Sequence, residues 1–325
     1  MATVTLIEAV TMALAHEMAR DERVIVLGED VGVNGGVFRA TAGLQQRFGA
    51  DRVQDTPLAE AMIAGVSVGM AAQGMRPVAE IQFEGFIFPA VDQIVNHAAR
   101  LRTRTRGRLH CPMVLRVPYG GGIHAPEHHS DSPEAMFAHM PGIRVVIPSS
   151  PARAYGLLLA AMRDPDPVIF FEPKRIYRLQ KQEVPDTGEA LPLDVCYTLR
   201  EGDDVTIVTW GAMTYETLKA ADQMAGEGVH CEVIDVATLS PLDAETIIES
   251  VEKTGRLVIV HEAPQSFGAG AEIAAVVAER ALYSLRTPIR RVAGYDTIMP
   301  LFRLETEYMP GVTRVIEGIR ATLED

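Results

Sequence analysis

Apolar positions follow two alternating patterns along this chain. Short, continuously apolar runs bounded by glycine or charge give way to longer stretches in which apolar residues recur every three or four positions. Runs of the first kind suit strands buried on both faces; stretches of the second suit amphipathic helices. Residues 24–27, 53, 78–83, 113–117, 144–147 and 168–171 read as strands. Thr5-Leu6-Ile7-Glu8 reads as a capping box, with Ile7, Val10, Leu14 and Met18 continuing on one helical face. Further helices are expected over 41–48, 88–101 and 152–162.

One more helix is expected from Asp55-Thr56-Pro57-Leu58-Ala59-Glu60 into a glycine-punctuated run ending at Gly74. Thr56 suits an N-cap and Pro57 the first turn, which puts Glu60 where the helix dipole favours an ionised carboxyl. Gly65 and Gly69 give this helix a small-residue stripe that lets another backbone approach. Prolines, charges and Gly188 interrupt the pattern between Pro173 and Pro192, after which the alternation resumes. Strands are expected at 205–209, 231–236, 257–261 and 289–292. Helices are expected at 215–226, 244–253 and 270–285, and from Val315 onward. The fold class that follows is α/β with two domains: 1–180 around a parallel sheet, a linker over 181–195, and a smaller domain over 196–325.

Composition narrows the partners. A net charge of −13 argues against nucleic acid and favours a basic protein partner. Cys111, Cys196 and Cys231 are odd in number and lack C-x-x-C spacing, which points to a reducing cytoplasm. The chain opens on an amphipathic helix and has no run of about 18 apolar residues, so a soluble chain without a targeting segment is expected.

In open parallel sheets, ligands gather beyond the carboxyl ends of the strands. Those ends carry Glu29 and Asp30, then Asp55 to Glu60, then Gln82 to Phe86, then Tyr119 to His129. They converge only if their strands are neighbours, and Glu60 taken alone reads equally well as a helix-capping carboxylate. His124, His128 and His129, with Glu127, fit a zinc site, a solvated polar loop, or a catalytic histidine on a glycine-hinged loop. Gly268-Ala269-Gly270 resembles a dinucleotide fingerprint, but Ile273 stands where the third glycine belongs, and a helix N-cap explains it more simply. Arg100, Arg102, Arg104, Arg106 and Arg108 alternate along one segment and, in so acidic a chain, suit a solvated or interface stretch better than a phosphate site. No P-loop, H-E-x-x-H or G-x-S-x-G is present.

Several longer segments carry a resemblance. Gly28-Glu29-Asp30-Val31-Gly32, Gly35-Gly36-Val37-Phe38, Asp55 to Glu60, Arg76-Pro77-Val78-Ala79-Glu80-Ile81-Gln82-Phe83, His129-Ser130, Asp166-Pro167-Val168 and Lys253-Thr254-Gly255-Arg256 occur in that order. Together they resemble the β subunit of the thiamine diphosphate-dependent decarboxylating component of 2-oxo acid dehydrogenase complexes, nearest to pyruvate dehydrogenase β chains.

The resemblance implies a pyrimidine-binding transketolase-like domain followed by a transketolase C-terminal-like domain. It also implies oxidative decarboxylation of a 2-oxo acid, pyruvate first among them, with reductive acylation of the lipoyl group of the acyltransferase. Glu60 falls on the family's glutamate, whose carboxyl holds a pyrimidine ring nitrogen and stabilises the imino tautomer that activates the cofactor. Leu58, Gln82 and Phe86 fall on its pyrimidine pocket, with Phe86 stacking on the ring, and His129 falls on its active-site histidine. A potassium site, mostly of backbone oxygens, maps to Met113, Ala161, Met162, Asp164 and Asp166.

The Gly-Asp-Gly motif that holds diphosphate and Mg²⁺ is missing, since Gly202-Asp203-Asp204 lacks its second glycine. The resemblance therefore implies an α subunit that supplies Mg²⁺ and half the cofactor site in an α₂β₂ heterotetramer. The acyltransferase's subunit-binding and lipoyl domains are the further implied partners. Departures at Asp296-Thr297-Ile298-Met299-Pro300 and at Pro151 to Gly156 fall where the family reads differently. Branched-chain 2-oxo acid and acetoin dehydrogenase β chains, and a non-catalytic scaffold paralogue, are the alternatives.

Overall fold

A computed structural model describes residues 2–324. Helix α1 (Leu6–Arg20) opens on the predicted capping box: Thr5 Oγ1 accepts the Glu8 amide, and the Glu8 carboxylate accepts the Thr5 amide at 2.8 Å. Two compact units divide the chain. One runs to Tyr119 and resumes over Met136–Leu193; the other takes Gly120–Ala135 and everything from Asp194 onward. The segment carrying the three clustered histidines therefore packs with the later half of the chain.

The main sheet of the first unit runs in the order β6 (Arg144–Val146), β7 (Val168–Pro173), β5 (Val114–Tyr119), β4 (Arg76–Glu80), β2 (Val24–Gly28) and β3 (Val53–Asp55). Every one of these pairings is parallel. All residues of β2, β5 and β7 are buried, so both faces of the sheet's centre are covered, as their largely apolar runs predict. Helix α1 packs against α6 (Pro151–Arg163), whose N-cap Ser150 accepts the Arg153 amide. A small antiparallel pair joins β1 (Ala2–Val4) to β8 (Gln182–Val184), a strand inside the stretch expected to be irregular.

Three predicted helices differ in the structure. The expected helix over 41–48 is only α2 (Leu44–Phe48), because Gly43 in the left-handed region delays its start. Helix α3 (Glu60–Ala72) begins at Glu60, with Ala59 as an N-cap that has no side-chain bond. Thr56 therefore does not cap it, and Pro57 lies ahead of its first turn. The expected helix over 88–101 is broken into a 3₁₀ turn (Phe88–Ala90), a π-helical segment (Gln93–Ala98) and the short α4 (Leu101–Arg104). π-helical turns are rare and cannot be anticipated from a 3.6-residue period.

In the second unit the sheet order is β14 (Arg290–Gly294), β13 (Leu257–Pro264), β10 (Val205–Thr209), β11 (Cys231–Asp235) and β9 (Tyr197–Arg200). All pairings are parallel except β9 with β11, so an unforeseen antiparallel edge strand closes this sheet. A short strand β12 (Thr238–Ser240) follows β11. Helices α7 (Met213–Gly226), α8 (Ala244–Thr254), α9 (Ala269–Arg280) and α11 (Val312–Leu323) pack on this unit's strands, and α5 (Glu134–Ala138) and α10 (Glu305–Tyr308) are short. Among the described residues, no helix is long and apolar enough to cross a membrane.

Candidate functional site

The strand order puts the carboxyl ends of β3, β2 and β4 side by side, so the polar groups of three loops do converge. The Thr56 amide donates to the Gly28 carbonyl at 3.0 Å, and the Gly32 amide donates to Asp55 Oδ1 at 2.6 Å, tying the loops after β2 and β3 together. Glu60 is the first residue of α3 and is only 9% exposed. Among the described residues, no hydrogen-bond donor of the chain engages its carboxylate. Burial, and then the charges of Asp30 and Glu60, push the Glu29 carboxyl above its ordinary pKa. Thr56 Oγ1, just ahead of α3, is buried without a partner.

Beyond β4 the chain turns at once into a 3₁₀ segment, Glu84–Phe86, which leaves Gln82 and Phe86 half-buried. This turn is pinned from below. Lys174 Nζ donates to Glu84 Oε2 at 2.5 Å with both side chains fully buried, and it also sits 5.4 Å over the Phe83 ring. Phe83 in turn meets Phe86 edge-on at 6.2 Å and Phe38 at 5.2 Å. Leu58, two residues ahead of Glu60, is 71% exposed.

Under this surface lies a charged core that the sequence reading missed. Arg116 on β5 donates from Nη1 to Glu80 Oε2 at 2.6 Å, and from Nε and Nη2 to Glu172 at 2.7 and 2.8 Å. Tyr177 Oη donates to Glu172 Oε2 at 2.7 Å. Burial opposes the charge of Arg116, but the two carboxylates outweigh it and hold its pKa above the ordinary value. Burial pushes Glu80 up, and burial with Glu172 pushes Tyr177 well up. The available signal was a charged residue within buried strand sequence: Glu80 ends the buried run of β4, and Arg116 and Glu172 sit in strands buried throughout.

His129 belongs to the second unit, on the loop Gly120–Ala135. It ends a 3₁₀ turn (Glu127–His129), is half-buried, and its ring centre lies 4.1 Å from that of His128. His124 is exposed and adopts a left-handed backbone. Among the described residues, no group of three His, Cys, Asp or Glu side chains could hold a metal ion, so the zinc reading finds no support here. The loop closes on itself where the Gly120 amide donates to the Asp131 carbonyl at 2.9 Å. At its far end Glu134 is fully buried and accepts the Trp210 indole N–H at 3.2 Å. Burial pushes the Glu134 carboxyl up to about 8, with the charge of Glu262 adding to the shift. Trp210 stacks flat on His261, their ring centres 5.1 Å apart, and burial and Arg291 push that imidazole down to about 4.

The residues expected around potassium lie together at one end of the first unit's sheet. The carbonyls of Met162 and Asp164 accept Arg76 Nη1 at 2.7 and 3.3 Å, the Met113 carbonyl accepts the Val168 amide, and the Ala161 carbonyl accepts the Asp164 amide. The Asp166 carboxylate pairs with Arg102 at 2.8 Å.

Gly268 and Gly270 are closely packed. A Cβ on Gly270 would stand 2.8 Å from the His261 ring, and one on Gly268 would stand 2.8 Å from the Pro264 carbonyl. Gly202-Asp203-Asp204 likewise forms a tight turn against the backbone at His230 and Cys231, with Asp204 Oδ2 accepting the His230 amide at 2.7 Å. The three cysteines are free, and burial pushes the thiol of each upward, Cys111 to about 12 and Cys231 to about 11.

Residues 2–180 match the transketolase pyrimidine-binding domain, and residues 195–315 match the transketolase C-terminal domain. The chain is 50% identical over 324 residues to the pyruvate dehydrogenase E1 component subunit beta of Bacillus subtilis (strain 168), covering all of both chains. Its identity to the same subunit of Acholeplasma laidlawii is 49%, covering 98% of each. Among solved structures it resembles a split-gene transketolase described as an inactive β4 tetramer, with a TM-score of 0.82, 23% identity and 99% coverage of both chains, a likeness of fold. Two transketolase-type domains in this order, with full-length identity at this level, place the chain in the family of pyruvate dehydrogenase E1 component β subunits.

Proposed function

We propose that this chain is the β subunit of a decarboxylating 2-oxo acid dehydrogenase component that acts on pyruvate and is completed by an α subunit in an α₂β₂ tetramer. The observation that carries the reading is Glu60, a buried carboxylate at the head of α3 with no hydrogen-bond donor of its own chain engaging it, with the exposed Leu58 just ahead of it in the chain and the half-buried Gln82 and Phe86 following β4 of the same sheet. A largely buried carboxylate that no donor of its own chain engages is available to a ligand. These residues fit the aminopyrimidine half of thiamine diphosphate. When bound, that cofactor supplies the nucleophilic carbon and the electron sink for decarboxylation.

The chain's own residues would then act as follows. Glu60 would hold a proton at a pyrimidine ring nitrogen and so set the tautomer. Phe86, braced by Phe83 and by the Lys174–Glu84 pair, would fix the ring plane, and Gln82 and Leu58 would line its edge. His129 would serve transfer of the acyl group to the lipoyl domain of the acyltransferase, whose basic subunit-binding domain suits a chain of net charge −13.

Pairing with an α subunit follows the subunit designation of the relatives. It is supported by the outward face of α3, where Met62 and Val66 are exposed and a Cβ added at Gly69 would meet nothing within 4 Å. Mg²⁺ would be held by the α subunit, since Gly202-Asp203-Asp204 is committed to a turn. Potassium would fall on Met113, Ala161, Met162, Asp164 and Asp166, where the carbonyls of Met162 and Asp164 already accept the Arg76 guanidinium. The cytoplasm is the compartment that suits three free cysteines.

Glu60→Gln in the assembled tetramer tests the central role. Hydrogen–deuterium exchange at the reactive cofactor carbon and lipoyl reductive acylation should both fall by about 10²–10⁴, with assembly unchanged. Full retention of both rates overturns the assignment. Parallel assays with pyruvate, branched-chain 2-oxo acids and acetoin establish the substrate, and a tetramer showing no cofactor-dependent heat with thiamine diphosphate and Mg²⁺ would favour the scaffold reading.

A further inference from the structure

The loop that carries His129 leaves β5 through Gly120-Gly121-Gly122-Ile123-His124, a hinge with Gly120, Gly122 and His124 all at positive φ. Glycine adopts this geometry freely, but His124 does so at a cost, and a hinge built this way would wander unless something outside it fixed its shape. Two buried carboxylates supply that fixation. Glu262, at the end of β13, accepts the Gly121 amide at 3.3 Å. Glu305, the first residue of α10, accepts the Gly122 amide on Oε1 at 2.5 Å and the His124 amide on Oε2 at 2.9 Å. Both carboxylates are 3% exposed.

The fit around Glu305 is close. A Cβ on Gly121 would stand 2.6 Å from Met299 Cε, 3.1 Å from Met309 Sδ and 3.5 Å from Glu305 Oε1. The His124 ring leans over the clasp as well, its Nε2 3.5 Å from Glu305 Oε2 and its ring centre 6.2 Å from that of Phe302. Each oxygen of Glu305 thus holds one amide, and the two amides bracket Ile123 at the crest of the hinge. Charge-assisted bonds of this kind are about twice as strong as neutral ones, and a desolvated pair of them defines a conformation. The hinge sets the path of a loop that is closed at its base by Gly120 and Asp131, so whatever fixes residues 122–124 also fixes where the turn Glu127–His129 projects.

We propose that Glu305 is a positioning residue for His129: by clasping the Gly122 and His124 amides it holds the His129 loop in the conformation used for acyl transfer to the lipoyl group. This rests on the reading of His129 given under Proposed function. What Glu305 holds is the hinge of the His129 loop, so its influence falls on transfer and not on cofactor activation.

The test uses the assembled α₂β₂ enzyme and two assays. Reductive acetylation of free lipoyl domain requires the transfer step, whereas pyruvate decarboxylation coupled to an artificial electron acceptor, dichlorophenolindophenol, bypasses it. Glu305→Gln keeps the side chain's shape but turns one accepting oxygen into a donor that opposes an amide. It should lower kcat/KM for lipoyl domain at least tenfold, leave the dye-coupled rate within twofold, and speed amide exchange over residues 120–126 at least tenfold. Combined with His129→Ala it should add little beyond His129→Ala alone, because both act on one element.

A fall in both assays to the same extent, an unchanged lipoyl rate, or full additivity with His129→Ala would overturn the proposal. Should Glu305→Gln fail to assemble, Glu305→Asp, which keeps the charge but withdraws the oxygens by one methylene, is read by the same criteria. His129→Ala by itself separates the two levels. If it leaves lipoyl acylation intact, the reading of His129 fails and the clasp's role in transfer fails with it. If it lowers acylation while Glu305→Gln does not, only the clasp is refuted.

Discussion

Arg116→Met removes the one cation from the charged core beneath the first unit's site and leaves Glu80 and Glu172 facing each other in the interior, 2% and 0% exposed. The wild-type guanidinium makes three short charge-assisted bonds there, at 2.6, 2.7 and 2.8 Å, and methionine replaces only its aliphatic stem. Removing one partner from a buried ion pair costs about 3–5 kcal/mol, because the surviving charge stays desolvated. Since about 1.4 kcal/mol is a factor of ten, opening of the strands around it should become about 100- to 4,000-fold more frequent. Amide hydrogen exchange read by mass spectrometry is the assay. Peptides covering β4, β5 and β7 should lose protection by that factor, while β10 and β13 of the second unit keep theirs. Adding Glu80→Gln and Glu172→Gln to Arg116→Met should recover part of the loss, since a neutral amide left short of partners costs about 1–3 kcal/mol and a bare charge costs more. A loss of protection below threefold in Arg116→Met, or a deeper loss on adding the Gln substitutions, would show that Arg116 does not hold these strands together through its charge.

Two further predictions concern pH and the second unit. Glu134 has its folded pKa raised from 4.5 to about 8, so its contribution to stability is fully present below pH 4.5 and lost as pH rises through 8. Glu134→Gln should therefore gain on wild type by up to about 1.4 kcal/mol per pH unit across that window, read from the fluorescence-detected unfolding of Trp210, the chain's only tryptophan. His261 has the opposite sign: its pKa falls from 6.5 to about 4, so the neutral folded ring adds stability above pH 6.5 that is lost as pH drops towards 4. His261→Phe should flatten that acid limb by a similar slope, and a melting profile with an unchanged acid limb would show the assignment to be wrong.

How far the sequence foretold this structure depends on the range of the interaction involved. Local signals held: the Thr5–Glu8 capping box opens α1, and the continuous apolar runs became strands buried on both faces. Near-local ones held in part. The carboxylate at the head of α3 was legible, but the three-residue delay that makes Glu60 its first residue was not, because the loop ahead of the helix takes its shape from partners on β2, through the Thr56–Gly28 bond and the Asp55–Gly32 bond. The π-helical segment 93–98 escaped altogether. Glu80, Arg116 and Glu172 were passed over as members of apolar strands, although a charge in such a run demands a partner. The grip of Glu262 and Glu305 on the His129 loop was beyond reach, since nothing in the two carboxylates' own neighbourhoods points to amides so distant in the chain.

That distance also sets a schedule for synthesis. Gly121 and Glu262 are separated by 141 residues, and Gly122 and Glu305 by 183. At roughly 5–20 residues per second on the ribosome, the hinge of the His129 loop waits about 10–40 s for the carboxylate that fixes it. Through that interval β6 and β7 can join the first sheet, but the loop between β5 and β6 has no template. The nascent chain therefore builds its earlier unit first and gains a shaped histidine loop only as its last helices emerge. A cut between Leu193 and Asp194 would accordingly not release two self-sufficient pieces: the earlier one would carry a loop whose shape is encoded in the other.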